Sequence, residues 1–137
     1  MIVLDTNVVS ELMRRSPDEK VASWIDRQPQ ASLWTTSITI FEIRFGLQTM
    51  PAGRKRSALT TVFEGFLDQI HGRIALFDVA AADRAAELAA ARRKKGRPGE
   101  SRDTMIAGII VAHRATLATR NTSHFEEISA IVNPWTA

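Results

Sequence analysis

Three residues near the start of the chain, Ile2-Val3-Leu4, constrain the fold more than any other stretch. They are wholly apolar, two are β-branched, and they run directly into an acid, a hydroxyl and an amide, Asp5-Thr6-Asn7. Such a run is too short for a helix and reads as a buried strand with a polar tip. An apolar strand without alternation suits the middle of a parallel sheet, where helices cover both faces and ligands gather at the carboxyl ends of the strands. Asp5 stands at such an end. Asp, Thr and Asn also favour helix starts, so capping of a helix over Asn7 to Arg15 competes with a chemical role for Asp5.

The rest of the chain repeats this alternation. Leu33-Trp34-Thr35-Thr36, Ile74-Ala75-Leu76-Phe77, Thr116-Leu117-Ala118-Thr119 and Ala130-Ile131-Val132 are further short strand candidates. Between them, Ser16-Pro17-Asp18 starts a helix with Val21, Trp24 and Ile25 on one face, and Ser37 is placed as the N-cap of a helix over Ile38 to Gln48. Met50-Pro51-Ala52-Gly53 breaks that helix, and Arg54 to Ile70 resumes as a second, so the two form a helical hairpin standing off the sheet. Asp78 caps an alanine-rich helix over Val79 to Lys95, and Ser101 is placed as the cap of a helix with Asp103 in its first turn. This rhythm predicts an α/β fold: one domain over residues 1–137, with a short, mainly parallel sheet of about five strands flanked by helices, and the hairpin protruding.

The chain carries no cysteine, which excludes a disulfide scaffold and thiol chemistry. Its longest apolar run, Met105 to Ala112, is too short to cross a bilayer, and the first residues lack the basic segment of a signal peptide, so a cytoplasmic protein without membrane contact is expected. Net charge is +3, and the excess is clustered: Arg14-Arg15, Arg54-Lys55-Arg56, Arg92-Arg93-Lys94-Lys95 with Arg97, and Arg102. Each cluster alone suits a solvated helix end. As a set they could line a groove that follows a phosphate backbone.

Three acids stand at comparable places. Asp5 follows the first strand, Glu42 lies about a turn into the helix after the second, and Asp103 heads the helix before the fourth. In a parallel sheet all three converge on one edge. Glu42 sits among Ile40, Phe41, Ile43, Phe45 and Leu47, where an unpaired carboxylate is costly, so it must face water, pair with a cation such as Arg44 or hold a metal. For Asp103 the bland reading is stabilisation of the helix dipole. Carboxylates gathered without histidine or cysteine suit Mg²⁺ or Mn²⁺ rather than zinc, and His71, His113 and His124 show no zinc-ligand spacing. Gly96-Arg97-Pro98-Gly99 lacks phosphate-loop spacing, and no nucleophile elbow is present.

Taken in order, Leu4-Asp5-Thr6-Asn7, the block Ser37 to Ile43 followed by Gly46, Asp103-Thr104-Met105-Ile106-Ala107, Ala118-Thr119-Arg120-Asn121 with Phe125, and Asn133-Pro134-Trp135 resemble the PIN-domain nucleases. The nearest branch is the VapC and FitB-like toxins of bacterial toxin–antitoxin pairs. The resemblance implies a Mg²⁺-dependent endoribonuclease (Mn²⁺ the other candidate ion) with Asp5, Glu42 and Asp103 as its catalytic, metal-binding acids. Thr6, Ser37, Thr119 and Asn121 are then the groups that orient carboxylates, metal or water. It also implies inhibition by a VapB-like antitoxin, a homodimer within a toxin–antitoxin hetero-oligomer, and contact with DNA only through the antitoxin. Many relatives supply a fourth acid near the end of the fourth strand. Here those places hold Asn121 and His124, which favours one firmly held ion over two.

Two rival functions remain at this level. Phosphoryl transfer through an aspartyl-phosphate at Asp5 is weakened by Asn7, which stands where a second acid is usual. A non-catalytic RNA- or antitoxin-binding module on the same fold is weakened by the three acids, because carboxylates without a metal repel phosphate.

Overall fold

The computed structural model describes residues 1–137 and places strand β1 (Ile2–Leu4) at the centre of its sheet. Chain order is β1, α1 (Thr6–Leu12), α2 (Glu19–Asp26), β2 (Leu33–Thr36), α3 (Ser37–Thr49), α4 (Arg54–Gln69), β3 (Ile74–Ala75), α5 (Val79–Lys94), α6 (Ser101–His113), β4 (Thr116–Ala118) and β5 (Ile131–Val132). The five strands lie in the order β3-β2-β1-β4-β5, and every pairing is parallel. Ile2 pairs with Leu33 on one side and Thr116 on the other, so β1 is hydrogen-bonded along both edges.

The two-residue period of the strands sends alternate side chains into two cores. Leu4, Leu33 and Ala118 meet Val8, Val9, Val21, Trp24, Ile43, Leu47 and Phe63 from α1 to α4. Val3 and Leu117 point the other way, against Ile106, Ala107 and Ile110 of α6 and Phe125. The hairpin forms as expected, with Phe63 of α4 fully buried and Phe41 and Phe45 exposed on its outer side. On the opposite face α5 lies so close to α6 that a Cβ at Gly108 would strike the Ala81 carbonyl and sit 2.7 Å from the Ala85 Cβ. No helix is long and apolar enough to cross a membrane.

Several boundaries differ from the sequence expectation. Thr36, not Ser37, caps α3: its extended backbone lets Oγ1 reach the Thr39 amide, while Ser37 is already helical. Glu100, not Ser101, caps α6 by accepting from the Asp103 amide, a carboxylate placed where the helix dipole favours it. Helix α1 closes at Leu12 rather than Arg15, and β3 closes at Ala75 because Leu76 turns out to solvent at the sheet edge.

Candidate active site

The chain leaves β1 through β2 and β3 on one side, then returns to place β4 and β5 on the other. The strand order therefore reverses at β1, and an open parallel sheet has its ligand crevice beyond the carboxyl end of that strand. Asp5 occupies the position. Its amide donates to the Ala118 carbonyl (3.0 Å), extending the β1–β4 ladder by one residue, and its side chain caps α1 by accepting from the Thr6 amide (2.8 Å). Capping and a role in the crevice are thus not alternatives here. The second oxygen accepts from Thr119 Oγ1 (2.7 Å) and Asn7 Nδ2 (3.3 Å). Asn7 in turn accepts from the Arg120 amide, tying the ends of β1 and β4 together.

Asp5 is only 4% exposed, and burial pushes its carboxyl above the ordinary carboxylate range. The bonds from Thr119, Thr6 and Asn7 pull the other way, while the charge of Asp103 adds to the rise. Glu42 is also raised, first by burial, against the Thr6 hydrogen bond and the charge of Arg102, and with Asp5 adding to the rise. Asp5 thus feels the charge of Asp103 across the crevice, and Glu42 that of Asp5.

Glu42 is held by a train of hydroxyls. Thr6 Oγ1 donates to Glu42 Oε1 (2.8 Å), and each hydroxyl carries a single proton, so Thr39 must donate to Thr6 (3.0 Å) and Thr36 to Thr39 (3.3 Å). All three dipoles then point at the carboxylate, an arrangement in which each bond strengthens the next. Thr6→Val breaks the train, leaving the buried Thr39 hydroxyl without its acceptor and Glu42 without its donor. It should cost ~1–3 kcal/mol in urea denaturation, with Thr6→Ser close to the parent protein; equal stability of the valine and parent proteins would refute the train.

Asp103, in the first turn of α6, has Oδ2 2.9 Å from His124 Nδ1. Arg102 beside it reaches towards Glu42 Oε2 (3.9 Å) and Glu100 Oε1 (3.4 Å). Arg44 does not neutralise Glu42; it pairs with Glu64 (2.8 Å) and lies over the Phe63 ring. Ser37 accepts from the Phe77 amide, which ties β3 to α3 rather than orienting an acid. Thr119 bonds Asp5 directly, and the Asn121 amide donates to the same Thr119 oxygen (3.1 Å).

No three His, Asp or Glu side chains stand close enough to enclose an ion. The donor set nevertheless suits one: hard oxygens, among them the Asp5 and Glu42 carboxylates, whose charge is disfavoured by burial and by a neighbouring acid. Mg²⁺ keeps several waters and is commonly held through one or two carboxylates, which asks less of the protein than a closed cage.

The sequence profile of the PIN domain matches residues 2–131. The chain belongs to the PIN-domain family. Among relatives of this PIN domain, the VapC ribonuclease Y4jK of Sinorhizobium fredii is 44% identical over 98% of both chains. Toxin FitB of Neisseria gonorrhoeae is 35% identical over 98% of this chain and 99% of its own. The crystal structure of FitAcB from the same species superposes with a TM-score of 0.91 at 34% identity, covering 100% of each chain. The five-stranded parallel sheet and its helices are therefore those of a VapC/FitB-like PIN domain.

Sequence reasoning missed Thr36 and Thr39 at this site, and it named Asn7 and Arg102 without the contacts they make here. The Asn7 contact was within reach of inference, two residues from Asp5 at the same strand end. Thr36 and Thr39 read locally as a strand residue and a helix residue, and only the packing of α1 on α3 turns them towards Glu42.

Proposed function

We propose that this chain is the toxin of a toxin–antitoxin pair, with residues 1–137 acting as one PIN unit. On this reading it is an endoribonuclease that hydrolyses RNA phosphodiester bonds with Mg²⁺ or Mn²⁺ shared among Asp5, Glu42 and Asp103, one or two of which would bind the ion directly and the rest through its waters. The observation that carries it is the anchoring of Asp5 by Thr119, Asn7 and the Thr6 amide at the end of the central strand, with Glu42 roped to the same Thr6. When bound, the ion polarises a phosphoryl oxygen and makes a coordinated water more acidic.

The protein's own part is positioning. Thr119 and Thr6 aim the Asp5 and Glu42 oxygens, and His124 orients Asp103. Neither Asn121 nor His124 can cancel charge as a fourth carboxylate would, so one ion is held by the protein and a second comes only with substrate phosphate. Lys95 and Arg97 line a cleft of about 610 Å³ that runs to Asp103 and His124 and is shared with Glu100, Glu126 and Glu127; the two cations are the groups there that would meet an RNA phosphate. Arg120, stacked 5.0 Å over Trp135, offers a further cation near the end of β4.

The same reading includes a VapB-like antitoxin that inhibits the enzyme in a hetero-oligomer built on a toxin dimer, touching DNA only through the antitoxin, in the cytoplasm; the solved FitAB and VapBC complexes of relatives support the partner. The test is direct: purified protein, freed of antitoxin, is incubated with single-stranded RNA. Cleavage is expected with Mg²⁺ or Mn²⁺, none with EDTA, and none once antitoxin is restored. Full cleavage by Asp103→Ala, or cleavage that persists in EDTA, would overturn the proposal.

A further inference from the structure

The basic cluster at the end of α5 does not behave as one surface. Arg92 is 8% exposed, and its guanidinium is consumed internally. Nε and Nη2 grip the two Glu127 oxygens (2.6 and 2.8 Å), Nη2 also donates to the His124 carbonyl (2.9 Å), and Nη1 donates to Thr104 Oγ1 (2.9 Å). Nη1 is packed against Gly99, where a Cβ would stand 3.0 Å from it and where the backbone has φ +69°. With its charge matched by Glu127 and four of its five N–H donors engaged, this arginine has little left for a phosphate.

Its partners converge on one catalytic acid. Thr104 follows Asp103 in the first turn of α6, and His124 bonds the Asp103 carboxylate. Thr104 is fixed within α6, its amide and hydroxyl both donating to the Glu100 carbonyl (3.1 Å each), whereas His124 has only its amide bond to the Asn121 carbonyl (3.0 Å) to hold it within its own turn. The segment Thr122–Phe125 is a single 3-10 turn whose start has no side-chain cap, and Arg92 joins it to α5 and α6.

We propose that Arg92 is a positioning residue for RNA cleavage: it clamps the start of α6 to the turn after β4, so that Asp103 and His124 meet in working geometry. The proposal rests on the endoribonuclease reading and on Asp103 as one of its acids. A lysine cannot replace the clamp, because a single ammonium lacks the planar fork that spans a carboxylate and two further acceptors.

The experiment is steady-state cleavage of a defined single-stranded RNA by the full chain in Mg²⁺, with Arg92→Lys, Glu127→Gln and Gly99→Ala beside the parent. Arg92→Lys should lower kcat about 10–100-fold, as loss of groups that orient metal ligands does, and leave KM within about threefold. Glu127→Gln keeps the shape of the pair, and Gly99→Ala presses a methyl on Nη1 without changing charge; both should lower kcat by a smaller factor in the same direction. Binding of the same RNA in EDTA should be unchanged, and amide hydrogen exchange should quicken at residues 101–104 and 122–128 but not in β1 or α1. Parent-like kcat in all three variants, or a raised KM with kcat preserved, overturns the clamp. Asp103→Asn separates the two levels. Should it cleave normally, the acid assignment fails; should it be inactive while the Arg92 and Glu127 variants keep full kcat, only the clamp fails.

Discussion

Asp5→Asn is expected to lower RNA cleavage at least ~100-fold while leaving the fold intact and altering how stability depends on pH. The loss follows from replacing one carboxylate oxygen by an amide nitrogen, which cannot coordinate a cation and presents hydrogens where Thr119 and Asn7 now donate. The pH effect follows from burial. The folded carboxyl keeps its proton to higher pH than the ordinary value of 3.8, so between the two values the native state binds more protons than the unfolded chain. Stability from this group is therefore complete below the unfolded value and lost as pH rises through the folded one. The Asn variant carries no such titration, so its stability curve should be flatter across that window. Mg²⁺ should raise the melting temperature of the parent protein, because an ion that binds only the folded state stabilises it, and should do so far less for the variant. Cleavage at the parental rate by a folded Asp5→Asn protein would remove Asp5 from the chemistry. A parent protein whose melting temperature ignores Mg²⁺ at millimolar concentration would remove the ion from this site.

Gly108→Val should be strongly destabilising, at least ~2 kcal/mol in urea denaturation. The added Cβ meets backbone atoms of α5, the Ala81 carbonyl and the Ala85 nitrogen, and neither can turn aside as a long side chain would. Relief requires α5 to move bodily away from α6. That would also draw Arg92 from Thr104, so cleavage should fall further than the loss of folded protein alone explains. Gly46→Ala and Gly65→Ala make the comparison. Both are helical positions with open space around a new Cβ, and both should be neutral or stabilising by up to ~1 kcal/mol. If Gly108→Val matched them, the close approach of α5 and α6 would not exist in solution.

These two positions mark where sequence reasoning reached and where it stopped. The place of Asp5 was legible because it is local: an apolar run ends and a polar tip follows at the end of a buried parallel strand. The places of Glu42 and Asp103 near the starts of their helices were legible in the same way. The helix caps were misread by one residue because Thr36 and Ser37, or Glu100 and Ser101, are both competent caps. Which one serves depends on where the backbone leaves the extended conformation. Arg92 was misread altogether. In the sequence it is one of four consecutive cations, and its partner Glu127 lies 35 residues away.

What the sequence determined by itself, then, is the alternation of strands and helices and the placing of Asp5 at a strand end and of Glu42 and Asp103 near helix starts, since both follow from periodicities of two and 3.6 residues and from where apolar runs stop. Only the tertiary structure decided which cation is buried, which threonines line up on Glu42 and why residue 108 must lack a side chain. Those are set by pairs distant in the chain, such as Thr119 with Asp5, 114 residues apart. Local pattern carries no information about such pairs, because they come into contact only when the two faces of the sheet are covered.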